Sequence, residues 1–160
     1  MNNLLSILLI LSIISCGNDP CQDEILEYTV QIGQMDILES RDTIQQPIVL
    51  IIREGNDLIF DINQIGAQCD SIEDDETGQR ITFSIDPQLE QLELRDQELA
   101  SVNAIHQEYG AWVSRGALID EGFIIIKKIS VDAWEIQGEL EISPIQFEDS
   151  TFSFDEVFTR

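Results

Sequence analysis

The sequence predicts an all-β fold: an antiparallel sandwich or a small barrel of about seven or eight strands. One short helix is expected near residues 88–100. Three observations carry this prediction. Runs rich in Ile, Val, Thr and Phe alternate apolar with polar residues at a period of two. Gly, Pro, Asn and Asp interrupt those runs at short intervals. Nowhere do strand-like and helix-like runs alternate as a parallel sheet requires.

Taken in order, residues 24–32 read as a first strand whose apolar members are Ile25, Tyr28, Val30 and Ile32. Residues 47–53 contain the dense run Ile48-Val49-Leu50-Ile51-Ile52. Glu54-Gly55-Asn56-Asp57 then reads as a turn and Leu58-Ile59-Phe60-Asp61-Ile62 as the return strand, the signature of a hairpin. Residues 69–79 are polar and patternless, as expected of an exposed loop. In residues 80–85, Ile81, Phe83 and Ile85 face one way and Thr82 and Ser84 the other, and Pro87 ends the strand.

Residues 88–113 are ambiguous. Leu89, Leu92 and Leu99 suit a short helix, yet Leu92 and Leu94 also alternate. Residues 101–113 suit a strand with Asn103, Ile105, Gln107, Tyr109 and Ala111 on one face, or a helix spaced on Val102, Ile105, Tyr109 and Trp112. Strand is the better reading, because Gly110 is costly inside a helix. Residues 122–131 and 133–142 are two β-rich runs meeting near 130–133. Ile124, Ile126 and Ile129 furnish one, and Trp134, Ile136, Leu140 and Ile142 the other. Pro144 breaks the second, and residues 151–158 close the chain with Phe152, Phe154, Val157 and Phe158.

The start of the chain is of a different kind. Residues 1–15 carry no charged side chain, and residues 4–14 form a nearly unbroken apolar run. Eleven residues of helix reach only about 16 Å, against a hydrocarbon core of about 30 Å. The run is too short to span a bilayer and fits the apolar region of a secretory signal peptide. It ends in Ile13-Ile14-Ser15-Cys16, two aliphatic residues, a small one and a cysteine. Here the chain resembles the lipobox of bacterial lipoproteins. The resemblance implies cleavage after Ser15, a diacylglycerol thioether on Cys16 and acylation of the new amino terminus. Several acyl chains, each CH₂ worth about 0.8 kcal/mol, would then hold the protein on a membrane. The expected division is a signal peptide at 1–15, a tether at 16–23 and a single β-rich domain at 24–160. Gly17, rather than Asp, follows Cys16, which favours an outer-membrane lipoprotein of the cell envelope, on either the periplasmic or the surface face.

With Cys16 assigned to lipid, Cys21 and Cys69 remain in an oxidising compartment, where a disulfide is expected. It would close a loop of 49 residues, both cysteines included. The chain-entropy model values such a loop at roughly 4 kcal/mol. Two free thiols are the alternative, and a zinc site is poorly supplied by one histidine.

The last third of the chain also resembles a group of small β-rich lipoproteins of Bacteroidota. The matching elements are Gly122-Phe123-Ile124-Ile125-Ile126, Ile136-Gln137-Gly138-Glu139-Leu140 and Thr151-Phe152-Ser153-Phe154. The resemblance implies a lipocalin-like or sandwich fold and brings no activity with it.

Charge narrows the partners. With 31 acidic and 8 basic residues the net charge is −23. Such a field repels nucleic acid and anionic lipid, and it attracts basic proteins, polyamines and divalent cations. It also simply keeps a protein soluble. Catalytic motifs are lacking. His106 is the one histidine, and no Gly-x-Ser-x-Gly elbow accompanies it, so a surface or rim position is expected for it. Asp70, Glu73, Asp74, Asp75 and Glu76 offer oxygen ligands for Ca²⁺, but without EF-hand spacing a solvated loop is the plainer reading. Tyr109, Trp112 and Trp134 are candidates to line a ligand cavity, though aromatic residues in a β domain are more often core. No motif calls for a cofactor or a nucleotide. The expected function is therefore a lipid-anchored, non-enzymatic binding or interaction module. The alternatives are a lipocalin-like carrier of a small apolar ligand and an acidic inhibitor or immunity protein for a basic enzyme.

Overall fold

The structure, a computed structural model, describes residues 23–39, 48–66, 77–110, 114–144 and 149–160. Nine strands and one short helix lie among them: β1 (Ile25–Glu39), β2 (Ile48–Ile65), β3 (Gly78–Ile85), β4 (Gln91–Arg95), the 3₁₀ helix Asp96–Val102, β5 (Ile105–Tyr109), β6 (Ser114–Leu118), β7 (Gly122–Ser130), β8 (Ala133–Glu141) and β9 (Thr151–Thr159). They form two antiparallel sheets, ordered β1-β2-β3-β5-β6 and β4-β7-β8-β9. Neither sheet closes on itself, so of the two predicted architectures the sandwich is the one formed. No helix among the described residues is long and apolar enough to cross a membrane.

Alternation places the core. Leu58, Phe60 and Ile62 of β2 pair with Ile85, Phe83 and Ile81 of β3, and all six point at the second sheet. Ile124 and Ile126 of β7, Trp134, Ile136 and Leu140 of β8, and Phe152, Phe154 and Phe158 of β9 answer them. Aromatic rings join the sheets: Phe60 stacks on Phe83 at 5.4 Å and meets Trp134 at 5.9 Å and Phe158 at 5.3 Å edge-on. Tyr28 of β1 reaches Phe158 at 5.5 Å. Such pairs add about 0.5–1.5 kcal/mol each beyond the area they bury.

The expected hairpin at residues 54–57 is not formed. β2 runs unbroken through Glu54-Gly55-Asn56-Asp57, and both of its halves pair with β1. Gly33 pairs with Asp57 and Gln34 with Arg53, so residues 54–56 bulge out of the ladder. A Cβ on Gly55 would stand 2.5 Å from the Gln34 Cβ, so only glycine lets the strands pass this closely. The Gly/Asn/Asp signal is thus real, but it marks a bend within a long two-stranded ribbon and not a reversal. Beyond the bend, Met35, Ile37 and Leu50 pack against Ile59 and Ile105 on the outer face of the first sheet, and β2 extends as far as β6. The ribbon makes a partial third layer.

Residues 88–113 divide between the competing predictions. Leu92 and Leu94 alternate in β4, opposite Ile126 and Ile124. The helix starts later than expected, burying Leu99 and Val102, and ends where Asn103 adopts left-handed backbone at φ 54°. Ile105 and Tyr109 then lie on a strand, as favoured. One apolar assignment in the last third fails: Ile129 is 50% exposed, because the β7–β8 register slips between Lys128 and Ser130.

Candidate functional site

Two adjoining clefts open where the second sheet meets the helix and β6. The larger, about 440 Å³, is lined by Asp96, Gln97, Glu121, Gly122, Glu139 and Glu141. The smaller, about 210 Å³, runs from His106 past Leu118 and Asp120 to Glu121, Glu141 and Ser143. They share Glu121 and Glu141, and neither lining contains a lysine or arginine.

Local backbone chemistry gathers these carboxylates. Asp96 takes left-handed backbone at φ 49°, and its Oδ1 accepts a hydrogen bond from the Gly122 N–H at 3.1 Å. The Arg95 N–H donates to Glu98 Oε2 at 3.1 Å, closing the helix start. Gly122 has φ 116°, and a Cβ there would fall 2.2 Å from the Glu139 carbonyl oxygen, so no other residue fits. The Glu141 N–H donates to the Glu121 carbonyl at 3.1 Å. Arg95 is drawn off to Glu93, at 2.8 Å, and to the face of Phe123, at 5.3 Å.

His106 is not at the rim: it is 4% exposed, on the inner face of β5. Its Nε2 lies 3.0 Å from Gln79 Oε1. The Gln79 amide in turn donates to Gln64 Oε1, and Gln64 donates to Glu24 Oε1 at 2.6 Å. Because Gln79 spends its N–H₂ on Gln64, its carbonyl faces the imidazole. Nε2 of His106 therefore carries the proton, and Nδ1 is the basic nitrogen of the neutral ring. Burial lowers the His106 pKa below the ordinary 6.5; Glu108 pulls it up and Arg115 pushes it further down. The row of side chains runs from the exposed Glu24, just before β1, across β2 and β3 to the buried ring on β5.

A second polar group lies on the outer face of the same sheet. Asp61 and Arg80 approach to 3.1 Å beside the buried Thr82. Burial raises the Asp61 pKa above 3.8, Arg80 and then Thr82 lower it, and Glu27 raises it. Tyr109 belongs to this face: its hydroxyl donates to Asn63 Oδ1 at 2.6 Å, and its ring covers Gly78. Trp134 is 2% exposed and sits in the core, with its Nε1 lacking a hydrogen-bond partner among the described residues. Of the three aromatic candidates, then, one is core and one is a latch on the outer face, and the two do not share a cavity. Trp112 lies outside the described residues, as do the lipid-bearing candidate Cys16, the disulfide candidates Cys21 and Cys69, and the calcium candidates Asp70, Glu73, Asp74, Asp75 and Glu76.

Among the described residues, no group of three or more His, Cys, Asp or Glu is arranged to hold a metal ion. Chemically, the clefts offer exposed carboxylates to a cation or a basic surface, with one neutral imidazole at the floor of the smaller cleft. Sequence reasoning missed Asp96, Glu121, Glu139 and Glu141 because four acids among 31 carry no distinguishing pattern. Only Gly122 signals a constrained corner. No protein-family model, curated protein or solved structure matches the chain.

Proposed function

We propose that this chain is a lipoprotein of the cell envelope, carried on the outer membrane by lipid on Cys16, whose sandwich acts as a non-enzymatic module docking a basic partner. The observation that supports the docking most strongly is the pair of adjoining clefts, ringed by Asp96, Glu121, Glu139 and Glu141 and lined by no lysine or arginine. In a chain of net charge −23, that corner concentrates a field able to steer a cationic surface. The leader and Ile13-Ile14-Ser15-Cys16 support the anchor. Two features weigh on the same side. The only histidine has its Nε2 tied to an amide oxygen rather than to a carboxylate, a poor start for a nucleophile–base–acid relay. The space between the sheets is packed with the rings of Phe60, Phe83, Trp134 and Phe158, which argues against an apolar carrier.

Binding to a basic protein, with lysozyme as the probe, tests the docking. The full chain should bind at about 0.02 M salt and lose at least tenfold in affinity by about 0.2 M. Replacing Glu121, Glu139 and Glu141 together by Gln should weaken low-salt binding by about tenfold, ~1.4 kcal/mol. Binding indifferent to salt, or to the triple substitution, would contradict this reading.

A further inference from the structure

The end of the second sheet opposite the clefts has an unlike surface. At the β7–β8 turn, Val131 is 77% exposed and Ile129 50% exposed. The Lys128 N–H donates to the Glu90 carbonyl at 2.9 Å, which places the exposed Leu89 beside them. Large apolar side chains grouped at a loop tip mark an interaction site. Charge here is mixed: Lys127, Lys128 and Arg160 stand among Asp86, Glu90, Asp132 and Glu135. No lysine or arginine lines the clefts at the other end. Approach to an anionic surface is therefore least opposed at this tip.

The tip also lies within reach of the tether. Tyr28, Val30 and Ile32 form one row on the inner face of β1. Tyr28 touches Phe158, and Phe158 pairs with Trp134, which pairs with Lys128. At the other end of the row, Ile32 pairs with Leu58 and Leu58 with Ile85. Lys128 Nζ reaches the carbonyl of Pro87, two residues on, at 3.4 Å. Ile32, 53% exposed, thus borders the tip. From Ile25 to Ile32 the strand rises about 23 Å, whereas the residues between Cys16 and Ile25 can span up to about 30 Å.

We propose that Val131, Ile129 and Leu89, flanked by Lys127, form a membrane-docking tip that seats this end of the sandwich on the bilayer and holds the acidic clefts away from it. The proposal rests on the lipid anchor at Cys16. The apolar tip is too small to hold the protein alone and sets the orientation of a chain already tethered. Its occupant is the bilayer surface: acyl chains for the aliphatic side chains and anionic headgroups for the exposed Lys127.

The test reconstitutes the full lipidated chain in vesicles of phosphatidylethanolamine and phosphatidylglycerol with brominated acyl chains. Val131→Trp reports on the tip, and Leu118→Trp, at an exposed position lining the smaller cleft, serves as control. Quenching is read as the increment over wild type, which corrects for Trp112 and Trp134. Val131→Trp should be quenched at least twofold more than Leu118→Trp. Equal or reversed quenching in vesicles that float with the protein overturns the docking and leaves the anchor standing. Failure of the wild-type chain to float removes the anchor, and the docking with it. If the Val131→Trp emission shifts with protein concentration in the absence of vesicles, a second copy covers the tip and the proposal falls. Amide exchange in residues 127–133 of the unsubstituted chain should slow on the same vesicles, and unchanged exchange counts against the docking.

Discussion

At one end of the β7–β8 hairpin, Gly122, Glu139 and Glu141 border clefts rich in acids and lined by no lysine or arginine. At the other, some 27 Å along the strands, Lys127 and Lys128 precede the exposed Ile129 and Val131. The two ends are also held by different forces. Rings of Phe60, Trp134, Phe158 and Tyr28 fasten the turn end to the first sheet. Backbone N–H groups of Gly122 and Glu141, and the left-handed residues Asp96 and Gly122, shape the cleft end. One hairpin therefore has an exposed apolar tip above a packed aromatic junction at one end and a hydrogen-bonded acidic mouth at the other. Polarity of this kind is set by which positions the strand ends bring together, and net charge alone does not reveal it.

The turn end should be the costlier to disturb. Phe60→Ala removes a ring in contact with three others and should lower unfolding free energy by about 3–5 kcal/mol in a urea titration. A loss below about 1 kcal/mol would mean that the aromatic junction does not hold the sheets. At the mouth, Gly122→Ala should cost about 1–3 kcal/mol from strained backbone. Its Cβ must also displace the Glu139 carbonyl, so amide exchange at Glu141 should quicken. An unshifted urea midpoint would show that this corner relaxes freely.

The turn end was the more legible in the sequence, and the reason is physical. Trp134, Ile136, Leu140 and the Phe residues of β9 alternate, and alternation survives folding because each strand has one buried face. The mouth gathers Asp96, Glu121 and the β8 pair Glu139 and Glu141 from three separate places in the chain, which no local pattern encodes. Gly55 shows a third case: a turn signal was present, but pairing of both halves of β2 with β1 converted it into a bend. His106 reads in the sequence as a surface or rim residue because no catalytic motif accompanies it; its burial depends on the Gln79 and Gln64 partners that strand register brings beside it.

pH separates the regions more gently. The folded state binds a proton at His106 less readily than the unfolded chain, since burial lowers its pKa. Its contribution to stability is thus complete above the ordinary value of 6.5 and shrinks as pH falls below it. His106→Gln should flatten that slope, and a slope unchanged by the substitution would contradict the buried, neutral ring. Asp61 acts with the opposite sign and in a lower window. Its raised pKa favours the folded state below 3.8, an advantage lost as pH rises through its folded value. The smallest effect is expected at the tip. Arg160 and Asp132 form an exposed pair at 2.8 Å, and Arg160→Ala should change stability by less than about 1 kcal/mol. A larger loss would mean that the turn depends on this pair.

The proposed orientation on a membrane, and with it the proposed division of labour between the two ends, rests first on lipid at Cys16. Metabolic labelling with palmitate compares the wild-type chain with Cys16→Ser in the same cells. Label on the wild type and none on the variant is the expected result. Equal labelling of both, or none on either, would contradict the lipid anchor.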